Sequence, residues 1–518
     1  MSTTAASTRH GDAAVLRRIF RLHFWVGLFA APVLVVLACT GLVILYSQPL
    51  DHWLNGDLFT VAQGSTTVPL DEQVATAQRQ VGAGYTLDAV TPPDAPDHST
   101  RVDFLPPDGP PIGEANATQV FVDPYTGRYL GRRSELSGLV GYANQLHRMF
   151  GNDGPKVQLP SLGHLVDPVS YPNATIPVGV GNLWMELTAG WILVLLASGL
   201  YLWWPRAIQS AKPLLKLRWG KGGRIRWRDL HSLTGVVLSV VLICYVLSGL
   251  TWSRYWGENW RAFSATVAPS VSVAAPSTPA KMGDYDRLGR RIAWAATDDP
   301  VYASQPGGPT SARISFAGVD RIAKSENMIP GYAIIPPSDS TEGGETVYGS
   351  YTVVNRWPQK LSEQRTLYLD QFTGATITNA TAAQDGALSR LTSFGIAMHM
   401  GNQLGVLTRI SATLACLGVL VSVLTGFLMW WKRRPAGGTG LPGPASDATR
   451  AATPKHVVKA VSIAAVALGV LYPAFGVSLL MVLGVEAVLA VRRRARAEEV
   501  EPVRADDGGE DVPVGALQ

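Results

Sequence analysis

Long apolar runs separated by mixed polar stretches dominate the pattern of the chain. A membrane-spanning helix needs roughly 20 predominantly apolar residues, and four uninterrupted runs meet that length. A fifth run is too long for one span and contains the turn signal Tyr472-Pro473-Ala474-Phe475-Gly476, so we expect a hairpin of two short spans there. The predicted spans are residues 23–46, 183–204, 232–252 and 403–431, with the hairpin at 457–491.

Positive charge predicts the orientation of these spans, because lysine and arginine are retained on the cytosolic side. Basic clusters precede the first span, fill the segment between the second and third spans, and follow both the fourth span and the hairpin. Both termini are therefore expected in the cytosol. The expected cytosolic segments are residues 1–22, 205–231, 432–456 and 492–518.

Two long stretches, residues 47–182 (module 1) and 253–402 (module 2), are expected to face outward. Both combine short alternating apolar runs with Pro and Gly turns, in the order helix and then strands. Each contains a related turn, Asp123-Pro124-Tyr125-Thr126-Gly127 in one and Asp370-Gln371-Phe372-Thr373-Gly374 in the other. Asp followed by Thr-Gly favours a turn between strands. The sequence thus predicts a small α+β module that is present twice.

Short motifs repeat along the spans as well. Leu-His-x-x-x-Gly occurs at Leu22-His23 with Gly27, at Leu146-His147 with Gly151, and at Leu230-His231 with Gly235. Small residues permit close helix contact, and a hydroxyl residue followed by glycine occurs in each of the first four spans. These pairs are Thr40-Gly41, Ser198-Gly199, Ser248-Gly249 and Thr425-Gly426. The predicted repeating unit is span, outward module and span, in parallel orientation.

Composition agrees with a membrane protein that also carries soluble domains, because 47% of the 518 residues are hydrophobic and 16% are charged. Cys39, Cys244 and Cys416 all fall within apolar runs, which excludes a disulfide framework in the modules and a Cys-x-x-Cys site. The basic segments are expected to contact membrane lipid. No nucleic-acid partner is expected.

Four of the nine histidines lie at the start of a predicted span or just ahead of one. His23 and His231 are expected at the inner boundary, and His147 and His399 at the outer boundary. Ionisable groups at membrane depth are costly and mark function, although a single interfacial histidine is also a common polar anchor. Two imidazoles close both faces of a haem iron and favour electron transfer. The repeated spacing therefore favours a shared cofactor role.

The neighbours of these histidines fit the same hypothesis. Glycine four residues later lies on the same helical face and would let a flat macrocycle approach the helix; Gly27, Gly151 and Gly235 hold that position. Arginines near the four histidines are candidates for pairing with haem propionates, namely Arg21, Arg148, Arg228 and Arg390. His10, His52, His98 and His456 are interpreted as solvated, and His164 as a reserve candidate.

Taken in order, these pieces resemble the PepSY-associated transmembrane family of bacterial membrane proteins. The resemblance covers about residues 14–435 and rests on the histidine motifs, the Asp-Pro-Tyr-Thr-Gly turn, and the tryptophan pairs that close the second and fourth spans. It implies that the outward modules are PepSY domains, that the four histidines ligate haem b, two haems in all, and that the membrane is the bacterial cytoplasmic membrane. An insertion of residues 152–181 departs from the family pattern.

The resulting hypothesis is a polytopic α-helical membrane protein with four core spans, a C-terminal helical hairpin and two PepSY-like modules. It would be a haem-dependent oxidoreductase that reduces a ferric siderophore or another ferric chelate outside the cytosol for iron acquisition. With no flavin or nicotinamide domain in the sequence, the electron donor would be a cytosolic reductase or a membrane quinol. The alternatives are a transporter for haem, metal or siderophore, and a non-enzymatic regulatory protein.

Overall fold

The structure is a computed structural model that describes residues 2–107, 117–150, 155–209, 218, 223–271, 274–285, 291–305, 312–355, 360–443 and 445–500. The α-helices are α1 Ser2–Leu45, α2 Ser47–Leu54, α3 Gly56–Phe59, α4 Leu70–Gln78, α5 Gly138–Met149, α6 Leu162–Val166, α7 Val180–Gln209, α8 Gly223–Leu250, α9 Tyr255–Val267, α10 Phe316–Ser325, α11 Ala387–His399, α12 Val406–Arg433, α13 Asp447–Ala451, α14 Lys455–Leu471 and α15 Pro473–Val500.

Within the described residues, five helical segments are long and apolar enough to cross a membrane. Helices α1, α7, α8 and α12 pack into one bundle, each against two of the others. Leu238 of α8 fills the space beside Gly418 of α12, where a Cβ would collide, so the two helices approach closely. The five segments that are long and apolar enough to cross a membrane are Asp12–Leu45, Val180–Trp204, Gly223–Leu250, Val406–Arg433 and Pro473–Arg492.

The predicted C-terminal hairpin is two helices in the structure, α14 and α15, which pack on each other within a separate compact unit that begins at Thr453. The helical path breaks at Tyr472, directly before Pro473, as the turn signal predicts. Proline lacks an N–H and restricts the residue before it, which accounts for the break at this position. Helix α14 has 17 residues and is not among the five segments.

Both modules contribute to one antiparallel sheet in the order β14-β13-β12-β9-β1-β2-β3-β4. Strand β1 of module 1 pairs with β9 of module 2 at Val90 and Ile334, so the two predicted modules are joined edge to edge. Pairing covers two strand edges that would otherwise expose unpaired backbone groups. The eight strands are β1 Thr86–Thr91, β2 Thr100–Leu105, β3 Thr118–Val122, β4 Tyr129–Ser134, β9 Ala333–Ile335, β12 Ser350–Val354, β13 Arg365–Asp370 and β14 Thr376–Thr381.

In the part of the chain that the structure describes, three smaller hairpins lie outside this sheet. One is formed by the predicted insertion, whose strands run antiparallel and lead directly into α7. The other two belong to module 2. The hairpins are β5 Lys156–Pro160 with β6 Thr175–Gly179, β7 Ser277–Lys281 with β8 Pro300–Tyr302, and β10 Ser340–Glu342 with β11 Glu345–Val347.

One face of the eight-stranded sheet is a continuous apolar core covered by α4 and α10. Val102 and Phe104 of module 1 and Val353 and Leu367 of module 2 are fully buried in the same cluster. The alternation of these side chains along each strand follows from the two-residue period of a strand. The core therefore spans both modules, and the opposite face is left for other contacts.

The two related turns have the predicted form. In the β3–β4 turn, Oδ1 of Asp123 accepts hydrogen bonds from the backbone two and three residues ahead. Oδ1 of Asp370 does the same in the β13–β14 turn. Gly127 and Gly374 then adopt φ of +68° and +73°, which a residue with a Cβ rarely adopts. The Asp and Gly of each motif are thus required by the turn.

Candidate functional site

The structure brings the four predicted histidines together as two pairs. His23 of α1 faces His231 of α8, with ring centroids 6.3 Å apart and ring planes at 79°. His147 of α5 faces His399 of α11, with ring centroids 6.3 Å apart and ring planes at 81°. We call them the far-side pair and the sheet-side pair, because α5 and α11 directly follow the last strand of each half of the sheet.

The imidazoles of the far-side pair are each held by a neighbouring helix. Nδ1 of His23 lies 3.2 Å from the carbonyl oxygen of Leu195 and 3.0 Å from Oγ of Ser198, both in α7. Nδ1 of His231 lies 2.9 Å from the carbonyl oxygen of Ser422 in α12. A carbonyl oxygen only accepts, so Nδ1 carries the proton and donates. Nε2 is then the basic nitrogen that remains for a metal.

The sheet-side pair has the same arrangement on α1 and α8. Nδ1 of His399 lies 2.9 Å from the carbonyl oxygen of Tyr245 in α8. Nδ1 of His147 lies 2.9 Å from Oγ1 of Thr40 in α1. The Thr40 hydroxyl donates its own proton to the carbonyl oxygen of Val36 at 2.6 Å, so its oxygen accepts from His147. In their neutral form all four imidazoles therefore share one tautomer, with the proton on Nδ1 and the lone pair on Nε2.

Each hydroxyl-glycine pair of the spans packs against one of these imidazoles. The hydroxyl lies 2.9–3.3 Å from Nδ1 of its histidine. A Cβ on the following glycine would lie 3.0–3.4 Å from Cε1 of that ring, which is tighter than ordinary contact. Sequence reasoning gave these pairs a role in helix contact and missed that they hold the histidines. The contacts are Gly41 with His147, Gly199 with His23, Gly249 with His399 and Gly426 with His231.

The spacing of the rings fits a bis-imidazole iron. Two metal–nitrogen bonds of about 2 Å, plus roughly 1.1 Å from each Nε2 to its ring centre, give centroids about 6 Å apart. Both pairs lie at 6.3 Å. A Cβ on Gly235, four residues after His231, would meet no atom within 4 Å, and one on Gly27 would meet only Leu195. Gly151 lies outside the described residues.

The number of metal-binding side chains at each pair is also compatible with haem. Across the described ranges, no group of three or more His, Cys, Asp or Glu side chains is arranged to hold a metal ion. A haem brings four nitrogens of its own and needs at most two imidazoles from the protein. The three cysteines are free thiols. Each pair offers two imidazoles, which is compatible with an iron whose other ligands come from a macrocycle.

Of the two arginines predicted beside the sheet-side pair, one lies in the same cavity as the histidines and the other does not. Arg148 lines the same cavity as His147 and His399, and its guanidinium lies 5.7 Å from the centre of the Trp252 ring. Arg390 is exposed and precedes His399 by nine residues, about 13 Å along a helix, so it is not beside the pair. Arg409, which sequence reasoning did not select, lines the cavity.

The other two arginines lie near the far-side pair in sequence. Arg21 is half-buried on α1, two residues before His23. Arg228 is exposed and forms an ion pair with the buried Asp229 at 3.2 Å. Arg218 binds the same carboxylate at 2.7 Å. The charge of Arg228 is thus partly satisfied by a neighbour on its own helix.

A cavity of about 770 Å³ connects the sheet-side pair to module 1. His147 and His399 form part of its wall, and the β1–β4 half of the sheet forms another part. Arg101, Gln119 and Arg133 line it from β2, β3 and β4. Small-molecule sites commonly have volumes of about 300–1,000 Å³. The volume also includes the space between the bundle helices beside the sheet-side pair, lined by residues such as Leu37, Ala189 and Ala415, so the cavity covers both the histidine site and the polar wall of module 1.

Buried ion pairs hold the polar side of this cavity. Arg291 bridges two strands through Asp88 at 2.8 Å and Asp103 at 3.0 Å. Burial opposes the positive charge of Arg291, but the two carboxylates outweigh that effect and raise its pKa. Arg133 of β4 pairs with Asp51 of α2 at 2.9 Å. These contacts fix the wall as a rigid surface of paired charges.

Two histidines interpreted as solvated lie together in the cavity wall. His52 and His98 have ring centroids 4.5 Å apart, and both line the cavity. Nδ1 of His98 lies 2.5 Å from Oδ1 of Asp94. His164, the reserve candidate, instead bonds the carbonyl oxygen of Tyr171 at 2.8 Å within its own loop. Contact between residues 52 and 98 depends on the fold and has no signal in sequence spacing.

Fold and site together define a polytopic membrane protein with an α+β sheet domain on one side of its helical bundle. The family model for the PepSY-associated TM region matches residues 20–433, which is most of the chain and includes all four paired histidines. The chain therefore belongs to that family, as the sequence predicts. A search of the curated proteins finds no match.

Proposed function

We propose that this protein is a haem-containing transmembrane electron-transfer protein that reduces a ferric siderophore, or another ferric chelate, on the sheet side of the membrane. The observation that carries the proposal is the equal geometry of the two histidine pairs, with ring centroids at 6.3 Å and each Nδ1 engaged by a neighbouring helix. An isolated interfacial histidine requires none of these features.

The chain's own residues would bind and orient two b-type haems. His23 and His231 would ligate one, and His147 and His399 the other. Bound haem would supply reversible one-electron redox chemistry at its iron. The Nδ1 hydrogen bonds fix ring orientation and make each imidazole a better ligand. The hydroxyl-glycine pairs keep the rings from rotating into the neighbouring helix.

The two pairs suit passage of electrons across a bilayer. His23 and Thr40, which holds His147, are 17 residues apart on α1, or roughly 25 Å along a helix. A hydrocarbon core is about 30 Å thick. With the basic clusters in the cytosol, the far-side pair would face the cytosolic donor, a reductase or a quinol. The sheet-side pair would face outward, from the cytoplasmic membrane of a bacterium.

The cavity supports a substrate site outside that membrane. It reaches the sheet-side pair, and its opposite wall carries arginine, aspartate and glutamine side chains that can bond oxygen donors of a chelate. Reduction of the bound iron to Fe(II) would weaken its affinity for hard oxygen ligands and release it for uptake. The recurrence of the same contacts on α1 and α8 also supports a parallel repeat, with the hairpin as two further spans.

Absorbance spectroscopy tests the proposal most directly. Protein purified from haem-replete cells should show a Soret band and reduced-state bands typical of six-coordinate haem b. His23→Ala and His399→Ala should each remove about half of the haem, because each breaks one pair, while the matched control His164→Ala should keep both. A colourless wild-type protein, or full haem in both variants, would reject the proposal and favour a transporter or a regulatory protein.

Substrate reduction needs a second measurement. After reduction with dithionite and removal of excess reductant, addition of a ferric trihydroxamate should reoxidise the haem and release Fe(II). His399→Ala should abolish that reoxidation. Haem that stays reduced in the presence of the chelate would retain the haem assignment but exclude this substrate class.

A further inference from the structure

Helix α5 carries a stripe of exposed apolar side chains on one face. Leu139, Tyr142 and Leu146 are spaced three and four residues apart and therefore share a face, and Phe150 follows at the end of the helix. Tyr142 is 62% exposed and Leu139 is 51% exposed. The other face of α5 packs on α1 and α7. An apolar stripe of this kind is costly in water and indicates an apolar partner.

Helix α11 has a similar stripe. Leu391 and Phe394 lie three residues apart and are 65% and 39% exposed. Thr392, Ser393 and Ile396, on the other side, are buried. Although α11 belongs to module 2 and α5 to module 1, both helices carry one histidine of the sheet-side pair and leave apolar residues uncovered.

The contacts of His147 and His399 show how far α5 and α11 extend alongside the membrane-spanning helices. His147 bonds Thr40, five residues before the end of α1 at Leu45. His399 bonds Tyr245, five residues before the end of α8 at Leu250. Five helical residues correspond to about 7 Å. The C-terminal ends of α5 and α11 therefore lie below the ends of the spans they touch, alongside surfaces that face lipid.

Charge on these helices is sparse, with one arginine on each. Besides histidine, α5 contains one charged residue, Arg148, whose guanidinium lies over the Trp252 ring and lines the cavity. Helix α11 contains one, Arg390, near its N-terminal end. Interfacial helices bury an apolar face roughly 5–10 Å into the headgroup and acyl boundary. The depth and the composition of α5 and α11 agree with that mode.

We propose that α5 and α11 are embedded in the sheet-side leaflet of the membrane, with Leu146 and Phe394 in contact with lipid acyl chains. The occupant is lipid because both helices contact the spans about five residues before the span ends, a depth at which lipid surrounds the bundle. Helices α5 and α11 would thus hold the sheet-side pair below the water interface. This inference does not depend on bound haem.

Site-directed spin labelling tests the proposal in the full-length protein in lipid nanodiscs. The three native cysteines are replaced by alanine, and one cysteine is introduced as Leu146→Cys or Phe394→Cys. Ala75→Cys on the exposed side of α4 is the matched aqueous control, and Leu414→Cys on α12 is the control in lipid. All four positions lie on helices and are exposed, so the labels should not disturb folding.

Accessibility to oxygen, which concentrates in lipid, and to a water-soluble nickel chelate then distinguishes the possible surroundings. Labels at 146 and 394 should resemble the label at 414, with a several-fold higher ratio of oxygen to nickel accessibility than at 75. Nickel accessibility equal to that at position 75 would overturn the proposal by placing the stripes in water. Exclusion of both reagents would overturn it in favour of a protein partner or a second copy.

Discussion

The two halves of the eight-stranded sheet differ on the face opposite the shared core. In module 1 this face carries Arg101, Asp103, Gln119 and Arg133, and much of it lines the cavity above the sheet-side pair. In module 2 the same face carries apolar side chains packed under the segment that includes β7 and β8. These residues are Ala333, Ile335, Val354 and Tyr368.

The same antiparallel strand arrangement therefore forms a charged cavity wall in one module and an apolar core in the other. The open half leaves its paired charges on the wall of the cavity, while the capped half forms a second core. Fold alone does not distinguish the two, because both halves are antiparallel strands below a helix. Module 1 supplies the charged strand residues of the cavity wall, although Ala333, Asn355 and Lys360 of module 2 also line it. The two halves should therefore respond differently to substitution.

The largest expected effect is on the stability of the open half. Arg291→Met removes the cation that the buried carboxylates of Asp88 and Asp103 share, while Asp103 keeps Arg101 at 3.0 Å. We expect a loss of about 3 kcal/mol in the free energy of unfolding. Lys360→Met breaks the exposed pair with Glu363 and should cost less than about 1 kcal/mol. Thermal unfolding followed by tryptophan fluorescence measures both, and equal melting temperatures would contradict the assigned role of Arg291.

Blocking the open half should impair function without unfolding. Thr91→Trp places an indole in the cavity, and we expect reoxidation of the reduced protein by a ferric trihydroxamate to slow by about tenfold or more, or about 1.4 kcal/mol. Glu345→Trp, on an exposed hairpin of module 2, is the control and should leave the rate unchanged. A normal rate in Thr91→Trp would remove the cavity from the proposed pathway.

The pH dependence of stability should also differ between the two modules. Burial and the charge of Asp299 raise the pKa of Asp385 in module 2 to about 7, and burial with the charge of Asp298 raises that of Asp299 to about 6. The folded state thus holds these protons longer than the unfolded chain, whose carboxyl pKa is about 4. Stability from this source is complete below about pH 4 and falls as the pH rises to about 7.

Asp385→Asn should therefore flatten the decline of stability with pH and stabilise the protein at pH 8 by about 1–2 kcal/mol, after allowance for partial exposure. Asp57→Asn, at an exposed carboxylate of module 1, should leave the slope unchanged. Melting temperatures from pH 4 to pH 8 test this, and parallel curves for wild type and Asp385→Asn would refute it.

The smallest effect is expected from the capped half. Ile335→Val removes one methylene from a packed cluster and should cost about 0.5–1.5 kcal/mol, with no change in the rate of chelate reduction. Chemical unfolding and the reoxidation assay measure the two quantities. A reduced rate would mean that module 2 also takes part in substrate binding, and the distinction between the halves would be lost.

Local patterns predict much of this fold. Apolar length predicts the helices of the bundle, and short alternating apolar runs predict that both modules contain strands after a helix, as α4 with β1–β4 and α10 with β9–β14 do. The Asp and Gly of each related turn have the predicted contacts, because the chemistry of those turns lies within five residues. The order of the histidine motifs led to the family, which the match over residues 20–433 confirms.

Long-range contacts could not be predicted in the same way. Pairing of β1 with β9 rests on a short match between residues more than 240 positions apart, at Val90 and Ile334. The hydrogen bond from His147 to Thr40, and the contact of His52 with His98, also join distant segments. Arg390 was selected by sequence proximity to His399, but helix geometry turns it away. Its exposed position shows that nearness along the chain is a weak guide to nearness in a site.

The junction of β1 with β9 has a mechanical consequence. Two modules joined only by flexible linkers could move apart and together by a hinge motion around a bound ligand. A shared sheet and a shared apolar core resist such hinging, since any opening would have to break backbone hydrogen bonds at Val90 and Ile334. A ligand of the cavity is therefore expected to enter and leave through side-chain and loop movements at the cavity opening, while the shared sheet keeps its shape.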